Sequence, residues 1–308
     1  MLSVGVCTFR RETLAATIAS LGAQALRPDV VVVADNDDVP SARGRAEAAA
    51  ARAGLALAYV HAPARNISVA RNAVLDAAGR LGADRLAWID DDEVAPMAWL
   101  TKMDAALTDG LAAVFGPTRA VYPPDAPRWM RRLRPHDQTV PLTRGQVRCG
   151  HTGNALTRPG AQGLSGLRFD PALGRTGSED TAYFLAGHAG GARYALTDAP
   201  VFEPVPDARL SEGWLAERKA RAGGVYYRAL PSGRARTGLL ALPKAAYCVG
   251  AALAAGDEAS ARAARLRGAF HRGVVRAALG VRPSDHYGGT GAGLGHEAAS
   301  QAARDGSR

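Results

Sequence analysis

The chain has 308 residues, of which 47% are hydrophobic, which suits one large domain or one domain with an appendage around a sizeable core. Its formal net charge of +9 favours anionic partners, such as a nucleotide diphosphate or an acidic membrane surface. Aromatic residues make up 6% of the chain and are scattered, whereas proteins that bind nucleic acid interleave aromatics with a basic stripe. Nucleic acid is therefore excluded as a partner.

The cysteines and the N-terminus favour a cytoplasmic protein. Cys7, Cys149 and Cys248 are odd in number and far apart, which argues against a disulfide framework and for a reducing compartment. The opening run MLSVGVCTFRR enters a strand-like pattern at once, without the charged region and cleavage site of a secretory signal.

Short apolar runs alternate with helical patterns along the first third of the chain. Strands are predicted at residues 2–9, 29–35, 55–61 and 84–90, and helices at 11–24, 41–54, 66–82 and 96–107. Asn66 is a good N-cap for the third helix. Four strand–helix units with valine-rich strands predict an α/β fold with a mostly parallel sheet buried on both faces. Such sheets bind ligands at the carboxyl ends of their strands.

Polar residues follow three of the predicted strands. The first strand ends at Thr8, with Arg10 just beyond, the second ends in residues 35–38, and the fourth ends in residues 90–93. Because the strands are parallel, these residues are expected at one edge of the sheet.

The segment ARNISVARN adds positive charge to this edge. Arg65, Asn66, Arg71 and Asn72 lie at the start of the third predicted helix, where free N–H groups and the helix dipole favour an anion. Carboxylates and arginines together suit a site that holds a divalent cation and a diphosphate at once.

Four consecutive acids, Asp90, Asp91, Asp92 and Glu93, follow the fourth strand. Like charges this close resist simultaneous ionisation, so the cluster costs stability unless a cation, hydrogen bonds or full solvation offsets it. A metal ion is the predicted compensation.

Simpler interpretations stay open for each of these features. Asp35 and Asp37 could be turn residues, Asp92 could be a helix N-cap in a solvated loop, and Arg71 could be a solvated helix residue. All three would have to coincide at one edge of the sheet.

Together these motifs resemble the cytosolic nucleotide-sugar glycosyltransferases of the GT-A fold, family 2. The matching segments are VGVCTFRRETL, VVVVADNDD, ARNISVARN, WIDDDEVAP and GRTGSEDTAYF (174–184). The most similar subgroup is the succinoglycan-type polysaccharide transferases, which share the pattern VFEPVPDARLSEGWLAERKARAGG (201–224). The run ADNDD departs from the usual D-D-G-S, which keeps Asp35 in register for contact with a base but leaves the base open.

The resemblance implies an inverting enzyme that moves a sugar from a nucleotide-diphosphate donor to a hydroxyl of a glycan or lipid-linked acceptor, in surface polysaccharide synthesis. It implies that Asp92 binds Mn²⁺ or Mg²⁺ directly, and that Asp90 touches the ribose or a metal-bound water. Asp180 is implied as the base and Glu179 as an acceptor contact. Ser178 is predicted as the N-cap of their helix.

Contacts with the nucleotide sugar are implied for a wider set. These residues are Thr8, Arg10, Asp35, Arg71, Asp90, Asn154, Arg218 and Arg221. Asn154 and Gly153 belong to CGHTGNALTR (149–158), which resembles the strand that lines the donor sugar. His151 is a candidate metal or phosphate contact, although a lone histidine is more often structural. The glycine-rich residues 158–177 predict either a mobile loop over the acceptor or a passive surface loop.

Beyond residue 205 the alternation stops and the chain reads as helical. We expect a transferase domain at 1–205, a helical region at 206–285 and a disordered tail at 286–308. Arg218 and Arg221 lie three apart on one helix face, which points either to the diphosphate or to solvent.

Two C-terminal segments are candidates for contact with a membrane. Residues 238–256 are mostly apolar but are interrupted by Pro243 and Lys244, so they are marginal for a membrane span and better interpreted as a buried or interface-lying helix. Residues 261–282 interleave arginine with apolar residues, which suits either an anionic leaflet at the inner face of the cell membrane or packing on the main domain.

Two other classes of function fit parts of the pattern. A nucleotidyltransferase also pairs an α/β sheet with metal-binding carboxylates, but a glycine-rich phosphate loop is expected after its first strand, and CTFRRET has no glycine. A non-catalytic protein that binds a nucleotide sugar or a carbohydrate need not keep both the D-x-D and the E-D pair. Both pairs are present here.

Overall fold

The computed structural model describes residues 1–230 and 233–281. The predicted disordered tail at 286–308 lies outside these residues. The chain divides into two compact units, the first made of Met1–Val121 and Asp137–Pro204, the second of Tyr122–His136 and the residues from Val205 onward. No sequence pattern indicated that residues 122–136 belong with the C-terminal helices, since we expected residues 1–205 to form one domain.

The first unit contains a seven-stranded sheet. Its strands are β1 (Leu2–Thr8), β2 (Val30–Asp35), β3 (Leu57–His61), β4 (Arg85–Ile89), β5 (Ala113–Phe115), β9 (Asn154–Thr157) and β10 (Tyr194–Leu196), in the order β10-β5-β9-β4-β1-β2-β3. All neighbours are parallel except β9, which is antiparallel to β4 and β5. The predicted α/β fold with a mostly parallel sheet is therefore confirmed.

Two smaller sheets complete the unit. They are the parallel pair β6 (Thr118–Val121) and β11 (Val201–Pro204), and the hairpin of β7 (Leu142–Thr143) and β8 (Gln146–Val147).

Five helices belong to this unit. They are α1 (Leu14–Gly22), α2 (Arg43–Ala53), α3 (Ile67–Arg80), α4 (Trp99–Ala106) and α6 (Glu179–Ala189). Helix α1 buries Leu14, Ile18 and Leu21, spaced as one helical face, in a core with the valines of β1 and β2. Helix α4 begins at Trp99 rather than at the predicted Pro96, but each predicted strand and helix exists.

Strand register sets the level of the site. Thr8 at the end of β1 lies opposite Asp35 at the end of β2, and Gly5 lies opposite Trp88 of β4. Because both pairings are parallel, the residues after β4 reach the same edge as Thr8 and Asp35. This gathering of polar strand ends is what the sequence predicted.

The second unit is helical among its described residues. It contains α5 (Arg128–Leu133), α7 (Glu212–Ala229), α8 (Arg234–Leu253) and α9 (Glu258–Ala278). Helix α9 packs against both α7 and α8. A Cβ atom at Gly273 would lie 1.8 Å from the carbonyl oxygen of Ala220, so glycine permits the close approach of α9 to α7. Among residues 1–230 and 233–281, no helix is both long and apolar enough to cross a membrane.

Candidate active site

The acidic turn after β4 is held partly by the protein itself. Thr8 donates a hydrogen bond from Oγ1 to Asp91 Oδ2 (2.7 Å). The carboxylate of Glu93 accepts hydrogen bonds from the backbone N–H of Asp90 (2.9 Å) and from Thr118 Oγ1 (2.9 Å). Asp91 and Glu93 are buried by these contacts. These hydrogen bonds stabilise the two carboxylates in part, but burial still raises the pKa of Asp91 to about 7 and that of Glu93 well above its usual range. Thr8 and Thr118 are distant in sequence from the turn, so no local pattern predicted them as partners.

Asp90 and Asp92 are the half-buried members of the turn. Burial raises the pKa of Asp90 to about 7; the positive charge of Arg71 opposes this rise, and the negative charges of Asp92, Glu203 and Asp180 reinforce it. Arg11 offers partial compensation, with Nη2 at 3.9 Å from Asp92 Oδ2. This edge therefore concentrates negative charge that a cation would stabilise.

Gly153 lies against the acidic turn, as predicted for the segment before β9. A Cβ atom at this position would lie 3.1 Å from Asp90 Oδ2 and 3.2 Å from Glu93 Oε1. His151 Nδ1 would lie 3.4 Å from the same atom, so the histidine is also close to the turn. A side chain at residue 153 would crowd both carboxylates.

A buried ion pair links the arginine segment to the predicted acceptor segment. Arg71 on α3 donates from Nη1 to Glu179 Oε1 on α6, and its guanidinium lies 5.6 Å from the ring centroid of Phe169. Burial raises the pKa of Glu179, an effect that Arg71 opposes. Glu179 Oε2 is buried and has no hydrogen-bond partner in the part of the chain that the structure describes. Glu179 thus orients Arg71, which differs from the open acceptor contact that we predicted.

Asp180 is half-buried beside this pair. Its Oδ1 accepts a hydrogen bond from the backbone N–H of Thr181 (2.7 Å). Its charge helps to raise the pKa values of Asp90, Glu179 and Cys149, which places Asp180 within electrostatic reach of all three. The residues predicted as base and metal-side acid therefore lie at the same edge of the sheet.

The predicted N-cap of α6 is wrong. Ser178 has φ 93° and ψ 0°, in the left-handed region, and its side chain makes no capping hydrogen bond. A capping residue normally has an extended backbone, from which its side-chain oxygen can reach the N–H groups of the first turn. Ser178 follows Gly177, which also has positive φ, so the chain enters the helix through a tight reversal.

The free N–H groups expected to bind an anion at the start of α3 are not available. Asn66 caps the helix, as predicted, by accepting hydrogen bonds from the N–H groups of Ser68 and Val69. The N–H of Ile67 donates to the carbonyl oxygen of Gly174 (3.1 Å). These three N–H groups are therefore already bonded within the protein.

Instead, α3 holds residues 169–174 in place. Asn72 exchanges two hydrogen bonds with the backbone of Phe169, and Asn66 Nδ2 donates to the carbonyl oxygen of Pro171 (2.8 Å). Ser68 Oγ donates to the carbonyl oxygen of Asp170 (2.7 Å). Residues 169–171 within the segment 158–177 are thus fixed by hydrogen bonds to α3. Neither interpretation of this segment, as a mobile loop or as a passive surface loop, predicted these bonds.

Two predicted donor contacts have structural roles instead. Asp35 is fully buried, and its carboxylate accepts hydrogen bonds from the N–H groups of Asp37 and Ala42 and from the hydroxyl of Tyr59. It therefore closes the turn after β2, which was the simpler interpretation, and is not open to a nucleotide base.

Asn154 is fully buried as well. Its Oδ1 accepts a hydrogen bond from Trp99 Nε1 (2.9 Å), and its Nδ2 donates to the carbonyl oxygens of Pro117 (3.0 Å) and Ala199 (2.7 Å). These bonds join β9 to α4 and to two loops, so Asn154 is a packing residue and not a donor contact.

The remaining predicted donor contacts are charged. Arg10 donates from Nε and Nη2 to both carboxylate oxygens of Asp37 (2.9 and 2.8 Å), which lowers the pKa of Asp37. Arg218 and Arg221 lie on α7 in the second unit, where the guanidinium of Arg218 lies 5.5 Å from the ring centroid of Trp214. Their contact with a diphosphate stays a prediction.

Cys7 was missed as a member of the site. Burial raises the pKa of its thiol to about 12, and Arg71, Asp90, Asp91 and Glu179 all act on it electrostatically. The signal that could have found Cys7 is its position, one residue before Thr8 at the end of β1. Among the described residues, no three His, Cys, Asp or Glu side chains are grouped so as to hold a metal ion by themselves.

Comparison with solved structures agrees with this architecture. Residues 1–349 of S. aureus TarS superpose with a TM-score of 0.52 at 15% identity, over 91% of this chain and 92% of that chain. GalNAc-T7, solved with UDP, GalNAc and Mn²⁺, gives a TM-score of 0.53 at 14% identity, over 79% of this chain and 50% of that one. The longer TarS structure is spanned over 55% of its length. The fold is that of the GT-A glycosyltransferases.

The sequence itself gives the family. The family described as glycosyl transferase family 2 matches residues 3–171. The succinoglycan biosynthesis protein ExoM of Rhizobium meliloti (strain 1021) is 41% identical over 298 residues, which are 93% of this chain and 96% of that protein. The chain therefore belongs to glycosyl transferase family 2 and is a glycosyltransferase.

Proposed function

We propose that the protein transfers a sugar from a nucleotide-diphosphate donor to a hydroxyl of a glycan or lipid-linked acceptor, with inversion, during surface polysaccharide synthesis at the cytoplasmic face of the membrane. The name of the succinoglycan biosynthesis relative supports the polysaccharide. TarS structures with UDP and with UDP-GlcNAc support the donor class.

We propose Asp92 and Asp90 as the ligands of a divalent cation, Mn²⁺ or Mg²⁺. Support comes from burial together with the negative charge at this edge, which raise the pKa of Asp90 to about 7, and from the Mn²⁺ in the GalNAc-T7 structure. Oxygen ligands from carboxylates suit both ions, and the donor phosphates would supply further ligands. When bound, the ion acts as a Lewis acid towards the departing diphosphate.

Arg71 is proposed to face the diphosphate of the donor. Its charge acts on both Asp90 and Glu179, so it lies between the metal-side acids and α6. Glu179 fixes the guanidinium through the buried ion pair. Thr8, which is hydrogen-bonded to Asp91, holds the acidic turn in register with β1.

Asp180 is proposed as the base that accepts the proton of the acceptor hydroxyl. The single observation behind this role is that Asp180, at the start of α6, lies within electrostatic reach of Asp90 while only its Oδ1 is hydrogen-bonded to the described residues. Its other oxygen, Oδ2, is then available to a hydroxyl that attacks the sugar from the side opposite the diphosphate.

Steady-state kinetics on Asp180→Asn test the proposal. The amide keeps the size of the side chain but cannot take the proton, so kcat should fall by roughly 100-fold or more while donor affinity hardly changes. Asp76→Asn, on the exposed surface of α3, is the control and should behave as the parent.

The anomeric configuration of the product, read by NMR, is the second measurement. An inverting enzyme gives a product whose configuration is opposite to that of the donor. Near-parental kcat in Asp180→Asn, or a product of retained configuration, would show that Asp180 is not the base of an inverting reaction.

A further inference from the structure

Helix α8 has two contrasting faces. Its inner face carries the buried residues Gly238, Ala241 and Cys248. A Cβ atom at Gly238 would lie 2.8 Å from the Cβ of Ala278, so this face sits close against α9. Helix α8 therefore packs on the helical unit through small residues, and the large apolar side chains of α8 take no part in this contact.

Those large side chains point to solvent. The exposed residues Leu239, Leu242, Ala246, Val249 and Leu253 recur at alternating intervals of three and four, and we refer to them as the α8 stripe. This spacing places them on one helix face. Leu253 is 84% exposed, and the neighbouring Tyr247 is 74% exposed. A continuous exposed apolar row on a folded protein marks an interaction surface.

The charges on α8 are all positive, and Arg236, three residues before Leu239, lies beside the stripe, whereas Lys244 lies on the opposite helix face. Residues 233–256 contain Arg234, Arg236 and Lys244, all exposed, and no acidic residue. The nearest acids along the chain, Asp257 and Glu258, are paired with Arg132 and Arg262 respectively. Residues 234–281 hold eight basic and two acidic residues, a net +6 of the chain's +9.

Helix α9 is the less suitable element for contact with lipid, although its sequence pattern first suggested it. Its apolar residues Leu266 and Val274 are buried, and Leu266 packs with Trp129 and Leu215. Four arginines of α9, at positions 265, 267, 272 and 276, stay exposed, so α9 adds charge to the unit while α8 presents the apolar surface.

We infer that α8 lies flat on an anionic lipid surface, with the α8 stripe inserted among the acyl chains and Arg234 and Arg236, at the N-terminal end of the helix, against the headgroups. A second copy of the chain is disfavoured as the occupant, because it would bring the same positive charges together. A span is disfavoured because no helix among residues 1–230 and 233–281 is both long and apolar enough to cross a membrane. The inference rests on the proposed function only in that a lipid-linked acceptor would be met at this surface.

Co-sedimentation of the full chain with vesicles tests the inference. The chain should bind vesicles containing phosphatidylglycerol, bind neutral phosphatidylcholine vesicles much less, and be released as salt rises from 0.15 M to 0.5 M. The double variant Leu242→Ser/Leu253→Ser should weaken binding to acidic vesicles by at least about tenfold, because two inserted side chains are lost. Arg236→Gln, which removes the charge beside Leu239, should weaken it by about fivefold.

Leu142→Ser is the matched control. Leu142 is 57% exposed and Leu242 is 56% exposed, but Leu142 lies on the β7–β8 hairpin, so its replacement should leave vesicle binding unchanged. Circular dichroism should show parental melting for all the variants, since each replaces an exposed side chain. Equal binding by the parent and the double variant would overturn the inference, and so would equal binding to neutral and acidic vesicles.

Two further measurements separate the alternatives. Fluorescence of Val249→Trp, at an exposed stripe position, should be quenched by bromine-labelled anionic vesicles, which reports insertion even if the double stripe variant fails to fold. A lipid-free dimer that Leu242→Ser/Leu253→Ser abolishes, without vesicle binding by the parent, would assign the stripe to a second copy and overturn the inference. Donor binding measured without vesicles is independent of these results, so its failure would count against the proposed function alone.

Discussion

Arg71 and Glu179 form a buried ion pair that joins α3 to α6, and their side chains are 6% and 4% exposed. The two residues are 108 positions apart in the chain. Asp180, the proposed base, follows Glu179 directly, and the charge of Arg71 acts on Asp90, a proposed metal ligand. The ion pair therefore connects the helix that carries the base to the acidic turn.

Arg71→Met should destabilise the protein by about 3 kcal/mol, because it leaves the Glu179 carboxylate buried and uncompensated. Adding Glu179→Gln should restore part of the loss, since the buried charge is then removed. Urea unfolding gives the free energy of unfolding of the single variant and of the double variant. Arg168→Met, which breaks an exposed ion pair with Asp76, should cost less than about 1 kcal/mol. Similar losses from Arg71→Met and Arg168→Met would contradict the prediction.

Asp92→Ala should abolish the Mn²⁺-dependent part of donor binding while leaving the fold intact, because the side chain is at a half-buried strand end and outside the core. Calorimetry with the nucleotide sugar that gives the largest thermal shift, with Mn²⁺ and with EDTA, measures this part. Asp109→Ala, at an exposed position, is the control. Unchanged affinity of Asp92→Ala in Mn²⁺ would rule out Asp92 as a metal ligand.

Asp90→Asn should stabilise the metal-free protein at pH 8. The folded-state pKa of Asp90 is raised from 3.8 to about 7, chiefly by burial, so between these values the folded state keeps a proton that the unfolded state releases. Ionisation of this group therefore weakens folding as pH rises from 4 to 7, and the full penalty applies above pH 7. Asparagine never ionises.

Melting temperatures in EDTA at pH 5 and pH 8 check this prediction for Asp90. We expect Asp90→Asn to melt several degrees above the parent at pH 8 and much closer to it at pH 5. The same difference at both pH values would mean that the carboxyl group titrates normally in the folded protein.

Two serines that precede helices should respond to glycine in opposite ways. Ser178 has φ 93°, so Ser178→Gly should stabilise the protein by about 1 kcal/mol through relief of backbone strain. Ser211 has φ −129° and its Oγ accepts a hydrogen bond from the N–H of Trp214, so Ser211→Gly should cost a few tenths of a kcal/mol. Thermal melts of both variants measure the two stability changes. Melting temperatures that shift in the same direction would contradict the prediction.

Local signals explain what the sequence predicted about the fold. Valine-rich runs and helical periodicity located the first four strands and helices, and Asn66 was identified as an N-cap because capping depends on the next three residues. Ser178 has the same kind of sequence signal, but its backbone is fixed by the tight reversal after Gly177. That conformation arises from tertiary structure, so the capping rule failed there.

The candidate site also combines features that the sequence predicts with features that it does not. Parallel strands brought Thr8 and the residues after β4 to one edge, which needs only the topology. Whether a carboxylate or amide there stays available depends on partners far along the chain. The carboxylate of Asp35 accepts a hydrogen bond from Tyr59, and the amide oxygen of Asn154 accepts one from Trp99, 55 residues away, so both groups are occupied within the protein. No local pattern identifies such partners.

The division of the second unit between residues 122–136 and the C-terminal helices has a consequence during synthesis. Trp129 and Met130 pack with Leu215, Ala259 and Leu266, and the first of these is made about 85 residues after Met130. At about 5–20 residues per second, the nascent chain holds two large apolar side chains without their partners for roughly 4 to 17 seconds. A chain ending at residue 205 would never bury them, so it is expected to aggregate even though it contains every strand of the main sheet.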